Sequence, residues 1–205
     1  MAQNDLDRRV VQVELRATDA DNTRTLEGYA VVFGAMSEDL GGFREIIEPN
    51  AFAEALVEAP DVRALFNHNP SMVLGRTTNG TLKLAEDSHG LRMAVTLPDT
   101  SYARDVYTLV ERGDVSQMSF AFRTRKGGET WTTEEGQRLR RLRSLTLYDV
   151  SIVTYPAYEA TTVAARTLEL ARESDGQEAD EIHADSARRA ALDLWRQRIQ
   201  ISRSR

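Results

Sequence analysis

The sequence predicts an α+β fold in which a mostly antiparallel sheet or barrel is flanked by helices. Several short segments alternate apolar and polar residues with a period of two, which is the pattern of strands buried on one face. Turn residues separate many of these segments at short intervals. The chain shows no regular alternation of strands with long helices, so a doubly wound parallel sheet is disfavoured.

The first quarter of the chain contains three predicted strands and a short helix. Residues 11–15 alternate strictly, residues 28–33 form a second apolar segment, and residues 43–47 form a third that ends before a proline. Asn50 is expected to cap a helix that runs to about Glu58, because its side chain can accept hydrogen bonds from the free N–H groups of a first turn.

The middle of the chain predicts another buried strand and a hairpin. Residues 62–66 are mostly apolar and lead into a polar cluster at residues 67–70. Residues 82–84 and 91–97 alternate as strands do, and the turn-forming residues 86–90 join them.

One longer helix follows the hairpin. Asp99 or Thr100 is the predicted cap, apolar residues then recur at helical spacing, and Gly113 stands where a left-handed residue would end the helix.

The last third of the predicted domain contains strands only. Residues 118–122 predict a strand, residues 127–137 a polar loop, and residues 139–154 a final strand pair that stops at Tyr155-Pro156.

Length and composition predict one domain with a polar extension. The chain has 205 residues, which suits a domain over residues 1–165 and a charged, helix-prone extension over residues 166–205. The extension is acidic first and basic later, so it could serve intermolecular contact or dock on its own domain. A net charge of −6 disfavours a general nucleic-acid binder, and neither a secretory signal nor an apolar run long enough for a bilayer is evident.

The sequence excludes several chemistries. There are no cysteines, so thiolate nucleophiles, disulfides and zinc–thiolate sites are absent. No Gly-x-Ser-x-Gly elbow, His-Glu-x-x-His motif or phosphate-binding glycine-rich loop is present, and no cofactor or metal is predicted.

Three histidines compete for any histidine-dependent role. His183 lies in the polar extension and His89 at the tip of the predicted hairpin, where a solvated turn residue is the ordinary interpretation. His68 directly follows the buried-looking segment 62–66, so a rigid strand end would hold it. Taken by itself, a histidine in the position of His68 is more often a structural or surface residue than a base.

Ser119 and Asp149 are the candidate partners of His68. In a strand, Met118, Phe120 and Phe122 share one face, and Ser119 lies on the other with Ala121 and Arg123. A serine nucleophile needs an adjacent base, and a third group usually orients that base.

Asp149 interrupts an apolar strand, and a carboxylate there needs a hydrogen-bond partner. The alternatives stay open at this point: an amphipathic strand with a polar outer face at Ser119, and an edge-strand acid facing water at Asp149.

Five sequence motifs, in order, carry a resemblance to a known family. They are Glu27–Phe33, Glu45–Phe52, Leu65–Asn69 with Leu74-Gly75-Arg76, Ser116–Phe122 and Tyr148–Tyr158. Over roughly residues 11–167 the chain resembles the HK97-type prohead proteases of tailed phages. The resemblance implies a herpesvirus-assemblin-like β-barrel with surrounding helices.

The resemblance also implies roles and partners. The histidine of the Asn-His motif is the base and the serine of the Ser116–Phe122 motif is the nucleophile, which fall on His68 and Ser119; the acid falls on Asp149, where family members often have glutamate. Ser116 is a competing nucleophile, and Arg123 a candidate helper.

The implied substrates are scaffold or the N-terminal segment of the major capsid protein, and the protease itself, cut inside the assembling procapsid in the host cytoplasm. A homodimer is one arrangement that the resemblance allows; nucleic acid and membrane are not expected partners. The alternative is an inactive capsid-assembly module with the same fold.

Overall fold

Strands predominate in the part of the chain that the computed structural model describes, which is residues 6–21, 23–58 and 60–155. The strands are β1 (Asp7–Gln12), β2 (Arg16–Ala20), β3 (Thr23–Val32), β4 (Phe43–Ile47), β5 (Arg63–Phe66), β6 (Asn69–Arg76), β7 (Leu82–Glu86), β8 (Gly90–Thr96), β9 (Gln117–Thr124), β10 (Glu129–Glu134), β11 (Gln137–Leu142) and β12 (Leu145–Val153). The helices are α1 (Ala53–Val57) and α2 (Ser101–Glu111), and a 3₁₀ turn spans Thr77–Asn79.

A five-stranded sheet carries the residues of interest. Its order is β1-β9-β12-β5-β6, so β9 and β12 are interior strands. β9 pairs antiparallel with both neighbours, whereas β12 pairs parallel with β5. Strands that are distant in sequence are therefore adjacent in space.

Two further sheets complete the described strands. One has the antiparallel order β2-β3-β8-β7 and contains the predicted hairpin of β7 and β8. The other has the order β10-β11-β4, in which β11 and β4 are parallel. One apolar cluster draws buried side chains from the five-stranded and four-stranded sheets and from α2.

The helix ends follow the prediction in part. Thr100 is the N-cap residue of α2, although its side chain makes no capping hydrogen bond, and Gly113 adopts φ +78° just after the helix, as predicted. The predicted cap at Asn50 is wrong: Asn50 lies in a turn at φ +68°, and Phe52 occupies the N-cap position of α1. The Glu86 carboxylate, from β7, accepts the Phe52 N–H at 3.0 Å and so supplies the missing acceptor.

Strand assignments differ from the sequence prediction at several places: β2 and β6 lie where no strand was predicted, and residues 13–15, predicted as strand, follow the end of β1. The segment 127–137, predicted as a loop, contains β10, whose residues are nearly all polar and which is held by its pairing with β11. The predicted final strand pair is wrong as a pair, because β11 pairs with β10 and β4 while β12 pairs with β9 and β5.

The mostly β architecture with a few helices is confirmed. In the described part of the chain the strands form three sheets, none of which is a closed barrel. The barrel and the herpesvirus-assemblin likeness stay predictions. The predicted extension over residues 166–205 lies outside the described residues, as does the boundary at 165.

A buried network of charges joins two of the sheets. Arg9 of β1 makes a bidentate contact with Glu45 of β4, with Nε–Oε1 at 2.8 Å and Nη2–Oε2 at 2.9 Å. Arg140 of β11 donates from Nη1 to Glu45 Oε2 at 3.0 Å and to Asp7 Oδ2 at 3.2 Å. All four residues are buried, so each charge depends on the others for compensation.

We predict that Arg140→Gln lowers the free energy of unfolding by about 3–5 kcal/mol, because it leaves the buried carboxylates of Glu45 and Asp7 under-compensated. Urea denaturation measures the change. Arg143→Gln, at an exposed position three residues after Arg140, is the control and should change stability by less than about 0.5 kcal/mol. Equal effects of the two substitutions would contradict the role assigned to the network.

We also predict a pH-dependent effect of Glu86→Gln. Burial raises the pKa of the Glu86 carboxyl above its ordinary value of 4.5, against the opposing effect of the Phe52 N–H. The folded state therefore holds this proton more tightly than the unfolded state, and the resulting stability is complete below pH 4.5 and is lost as the pH rises through the raised pKa. Glutamine does not titrate. The free energy of unfolding of Glu86→Gln, relative to that of the wild type, should therefore rise between about pH 4 and pH 7, the interval in which the carboxyl titrates.

Urea midpoints at the two pH values measure the effect, with Glu135→Gln in an exposed turn as the control. A difference between wild type and Glu86→Gln that is the same at both pH values would contradict the prediction.

Candidate active site

His68 lies in the two-residue turn that connects β5 and β6. Phe66 pairs with Asn69, and Asn67 and His68 between them both adopt φ +53°. Two successive residues with positive φ are typical of the tight hairpin turns whose twist matches that of the flanking strands. Asparagine and histidine enter this left-handed region more readily than most residues.

Asn67 fastens this turn to the end of β12. Its N–H donates to the Ile152 carbonyl at 2.9 Å, and its Oδ1 accepts from the Thr154 N–H at 3.0 Å and from the Thr154 hydroxyl at 3.3 Å. The backbone of His68 is therefore held from the residue before it.

Ser119 lies in the interior strand β9. Its strand partners are Val10 of β1 on one side and Ser151 of β12 on the other. Met118, Phe120 and Phe122 join the apolar core, as the strand pattern predicts. Ser119 is 0% exposed, so the alternative of a polar face turned to water does not hold.

A bulge in β12 places Asp149 on the face of the sheet that carries Ser119. Leu147 pairs with Phe122 and Asp149 with Ala121, which leaves Tyr148 as an extra residue opposite the β9 strand. Leu147 packs in the core. Asp149 lies on the opposite face, across from Ala121, which shares that face with Ser119. Without an irregularity, residues 147 and 149 would share one face.

The three predicted residues form a continuous chain of hydrogen bonds. His68 Nε2 lies 2.6 Å from Ser119 Oγ, and His68 Nδ1 lies 2.6 Å from Asp149 Oδ1. An ionised carboxylate only accepts, so Nδ1 carries the proton, and in the neutral ring Nε2 is left to accept the Ser119 hydroxyl. The side chains of His68 and Asp149 are 8% and 13% exposed, so little water competes for these bonds.

The structure separates the other candidates from this chain of hydrogen bonds. His89 is exposed in the β7–β8 turn, where its ring contacts Tyr29 at a centroid distance of 4.6 Å. Ser116 is exposed and precedes β9. The Arg123 guanidinium lies over the Tyr148 ring, 5.6 Å from its centroid. His183 lies outside the described residues.

Ser151 is the neighbour that the sequence analysis did not single out. Its hydroxyl donates to Asp149 Oδ1 at 2.9 Å and lies 3.1 Å from His68 Nδ1. The signal was present in the spacing, because Ser151 is two residues beyond Asp149 and so shares its face.

Neither a metal-binding cluster nor a membrane-spanning helix is found among the residues that the structure describes. No group of three or more histidine, aspartate or glutamate side chains there could hold a metal ion. No helix among them has the length and apolarity needed to cross a bilayer.

Comparison with known proteins then decides the family. A family model described as caudovirus prohead serine protease matches residues 11–174. The chain belongs to this family. It is accordingly a capsid-maturation protease, and the family resemblance predicted from the sequence is confirmed.

Other comparisons add little. Among solved structures, the capsid assembly protease gp21 of bacteriophage T4 is similar over 72% of this chain and 98% of that chain, with 8% identity and a TM-score of 0.44. No curated protein matches the chain.

We predict that Asn67→Ala destabilises the protease by about 1 kcal/mol more than Asn67→Gly. Both variants lose the bonds to Thr154, but only alanine carries the steric cost of the left-handed conformation at φ +53°. Urea denaturation of both variants measures the difference. Equal stability of the two, or a more stable alanine variant, would show that the turn does not keep this conformation in solution.

Proposed function

We propose that the protease is a serine endopeptidase in which Ser119 is the nucleophile, His68 the general base and Asp149 the group that orients His68. The observation that carries the proposal is the hydrogen-bond chain Ser119–His68–Asp149, with both links at 2.6 Å. Nucleophile and base within hydrogen-bond reach, with a third group fixing the base, is the arrangement that activates a serine.

The first half of the proposed reaction acylates the enzyme. Ser119 Oγ bonds to the carbonyl carbon of the scissile peptide while its proton moves to His68 Nε2. Asp149 stabilises the imidazolium that forms. The tetrahedral intermediate then collapses, the C–N bond breaks, and His68 returns the proton to the departing amine.

The second half consumes water. His68 takes a proton from water as its oxygen attacks the acyl carbon, and returning that proton to Ser119 Oγ releases the carboxylic acid. An oxyanion hole completes such a site, and backbone N–H groups beside the five-stranded sheet are suitable donors.

The proposed substrates are capsid-assembly proteins. A prohead protease acts within the procapsid, and the family match supports capsid proteins as its targets. We propose more specifically that it cuts scaffold or the N-terminal segment of the major capsid protein, and its own chain. The charged segment 166–205 is a candidate for self-removal or for recruitment into the shell.

The proposal is tested by coexpressing the full chain with its capsid protein and measuring the intact masses of both. We expect Ser119→Ala and His68→Ala to reduce cleavage by roughly 10⁶-fold and Asp149→Asn by roughly 10⁴-fold, because members of such a unit act together. Ser116→Ala, at the exposed serine of the same motif, is the matched control and should cleave as the wild type does.

Cleavage that survives Ser119→Ala but is lost in Ser116→Ala would show that Ser116, and not Ser119, is the nucleophile. A wild type that leaves every protein intact while shells assemble would favour the inactive assembly module instead.

A further inference from the structure

We propose that Ser151 is a positioning residue that holds Asp149 and His68 in the geometry needed to activate Ser119. The inference rests on the proposed function of Ser119, His68 and Asp149, and it adds a fourth side chain to that unit. Ser151 would act through Asp149 and His68 and would not touch the substrate.

The position of Ser151 follows from the sheet. Across β12 and β9 it pairs directly with Ser119, and across β12 and β5 it pairs with Leu65, three residues before His68. Ser151 is 0% exposed. A hydroxyl at such a position must find its hydrogen-bond partners within the protein.

The partners of Ser151 are the two groups whose relative orientation matters most. Its Oγ lies 2.9 Å from Asp149 Oδ1 and 3.1 Å from His68 Nδ1. The hydroxyl has one proton, which it donates to the carboxylate, and two lone pairs, one of which faces the Nδ1 proton of His68. Ser151 Oγ, Asp149 Oδ1 and His68 Nδ1 therefore all contact one another, on the side of the imidazole that faces away from Ser119.

Both bonds to Asp149 fall on the same oxygen. His68 Nδ1 and Ser151 Oγ each contact Oδ1, at 2.6 and 2.9 Å. A carboxylate can otherwise rotate about its last side-chain bond, for which the energy profile is broad. The bond from Ser151 opposes this rotation, so Oδ1 stays in place as the acceptor for His68 Nδ1.

The contact also has a use during the reaction. When Ser119 transfers its proton, the His68 ring becomes an imidazolium in surroundings that exclude most water. The Ser151 lone pair at 3.1 Å then provides a second acceptor beside Nδ1. Preorganised dipoles of this kind stabilise developing charge without reorganising.

The experiment compares Ser151→Ala and Ser151→Cys with the wild type in the full chain. Alanine removes the hydroxyl, and cysteine fills the site with a side chain that is a weak donor and acceptor. Ser144→Ala is the matched control, because it also removes a hydroxyl bonded to a carboxylate, in that case Glu54 at 2.9 Å. Thermal unfolding confirms that each variant is folded.

The first measurement is the rate at which a fluorophosphonate probe labels Ser119. Labelling forms a bond from Ser119 Oγ to phosphorus and expels fluoride, while the hydroxyl proton passes to His68. We expect both Ser151 variants to be labelled about tenfold more slowly, within the range typical of lost base assistance, and Ser144→Ala to be labelled at the wild-type rate.

The second measurement is the low-field proton NMR signal of His68 Nδ1–H, identified by its absence in His68→Ala. Loss of the Ser151 hydroxyl should shift or broaden it, which a role limited to packing would not do. Wild-type labelling rates together with an unchanged signal in both Ser151 variants would overturn the inference. Failure of the wild type itself to be labelled at Ser119 would instead overturn the proposed function.

Discussion

The pairing of β9 with β12 is the constraint on which the rest of the site depends. A strand register sets which side chains share a face, and a slip of one residue would turn every one of them over. Here the register places Ser119 opposite Ser151 and, after the bulge at Tyr148, Asp149 opposite Ala121.

The bulge lets one strand serve two purposes, because Leu147 before it packs in the core while Asp149 after it contacts His68. An aspartate reaches less far than a glutamate, and the bulge together with the direct contact at 2.6 Å shows that its reach suffices here.

His68 is positioned by a different device, a tight turn. β5 lies beside β12 in parallel, so its end delivers the chain next to Asp149 and Ser151. The turn then reverses at once, with both central residues in the left-handed region. Such a conformation persists only where the surroundings fix it, and Asn67 provides this through its bonds to Ile152 and Thr154. The same strand, β12, therefore supplies Asp149 and anchors the turn that carries His68.

Sequence patterns predicted the parts of this arrangement that local physics decides. Residues 118–122 alternate clearly enough to assign Ser119 its face, and the apolar run before His68 indicates a fixed strand end. The hydrogen-bond demand of Asp149 was also recognisable, but period-two alternation would place it on the face of Leu147, because a bulge leaves no signal in the sequence. Strand partners that are distant in sequence were not predictable either. β4 pairs with β11, as in Ile46 with Arg141, and contacts so distant in sequence involve no turn chemistry. β10 was missed because its pairing with β11, and not an apolar face, holds it in place.

The buried charge network extends the support of Ser119 beyond its own sheet. β9 has two neighbours, and on the side away from β12 it is β1 that places Val10 against Ser119. β1 is an edge strand of the described sheet, and one-sided pairing alone would leave it prone to fraying.

Arg9 and Asp7 of β1, however, bind Glu45 and Arg140 of the three-stranded sheet. A buried ion pair contributes little net stability compared with apolar packing, but it fixes which groups must meet. Charges on β4 and β11 therefore fix the strand that flanks Ser119, and this explains why arginines and carboxylates occupy positions where apolar side chains would pack at lower electrostatic cost.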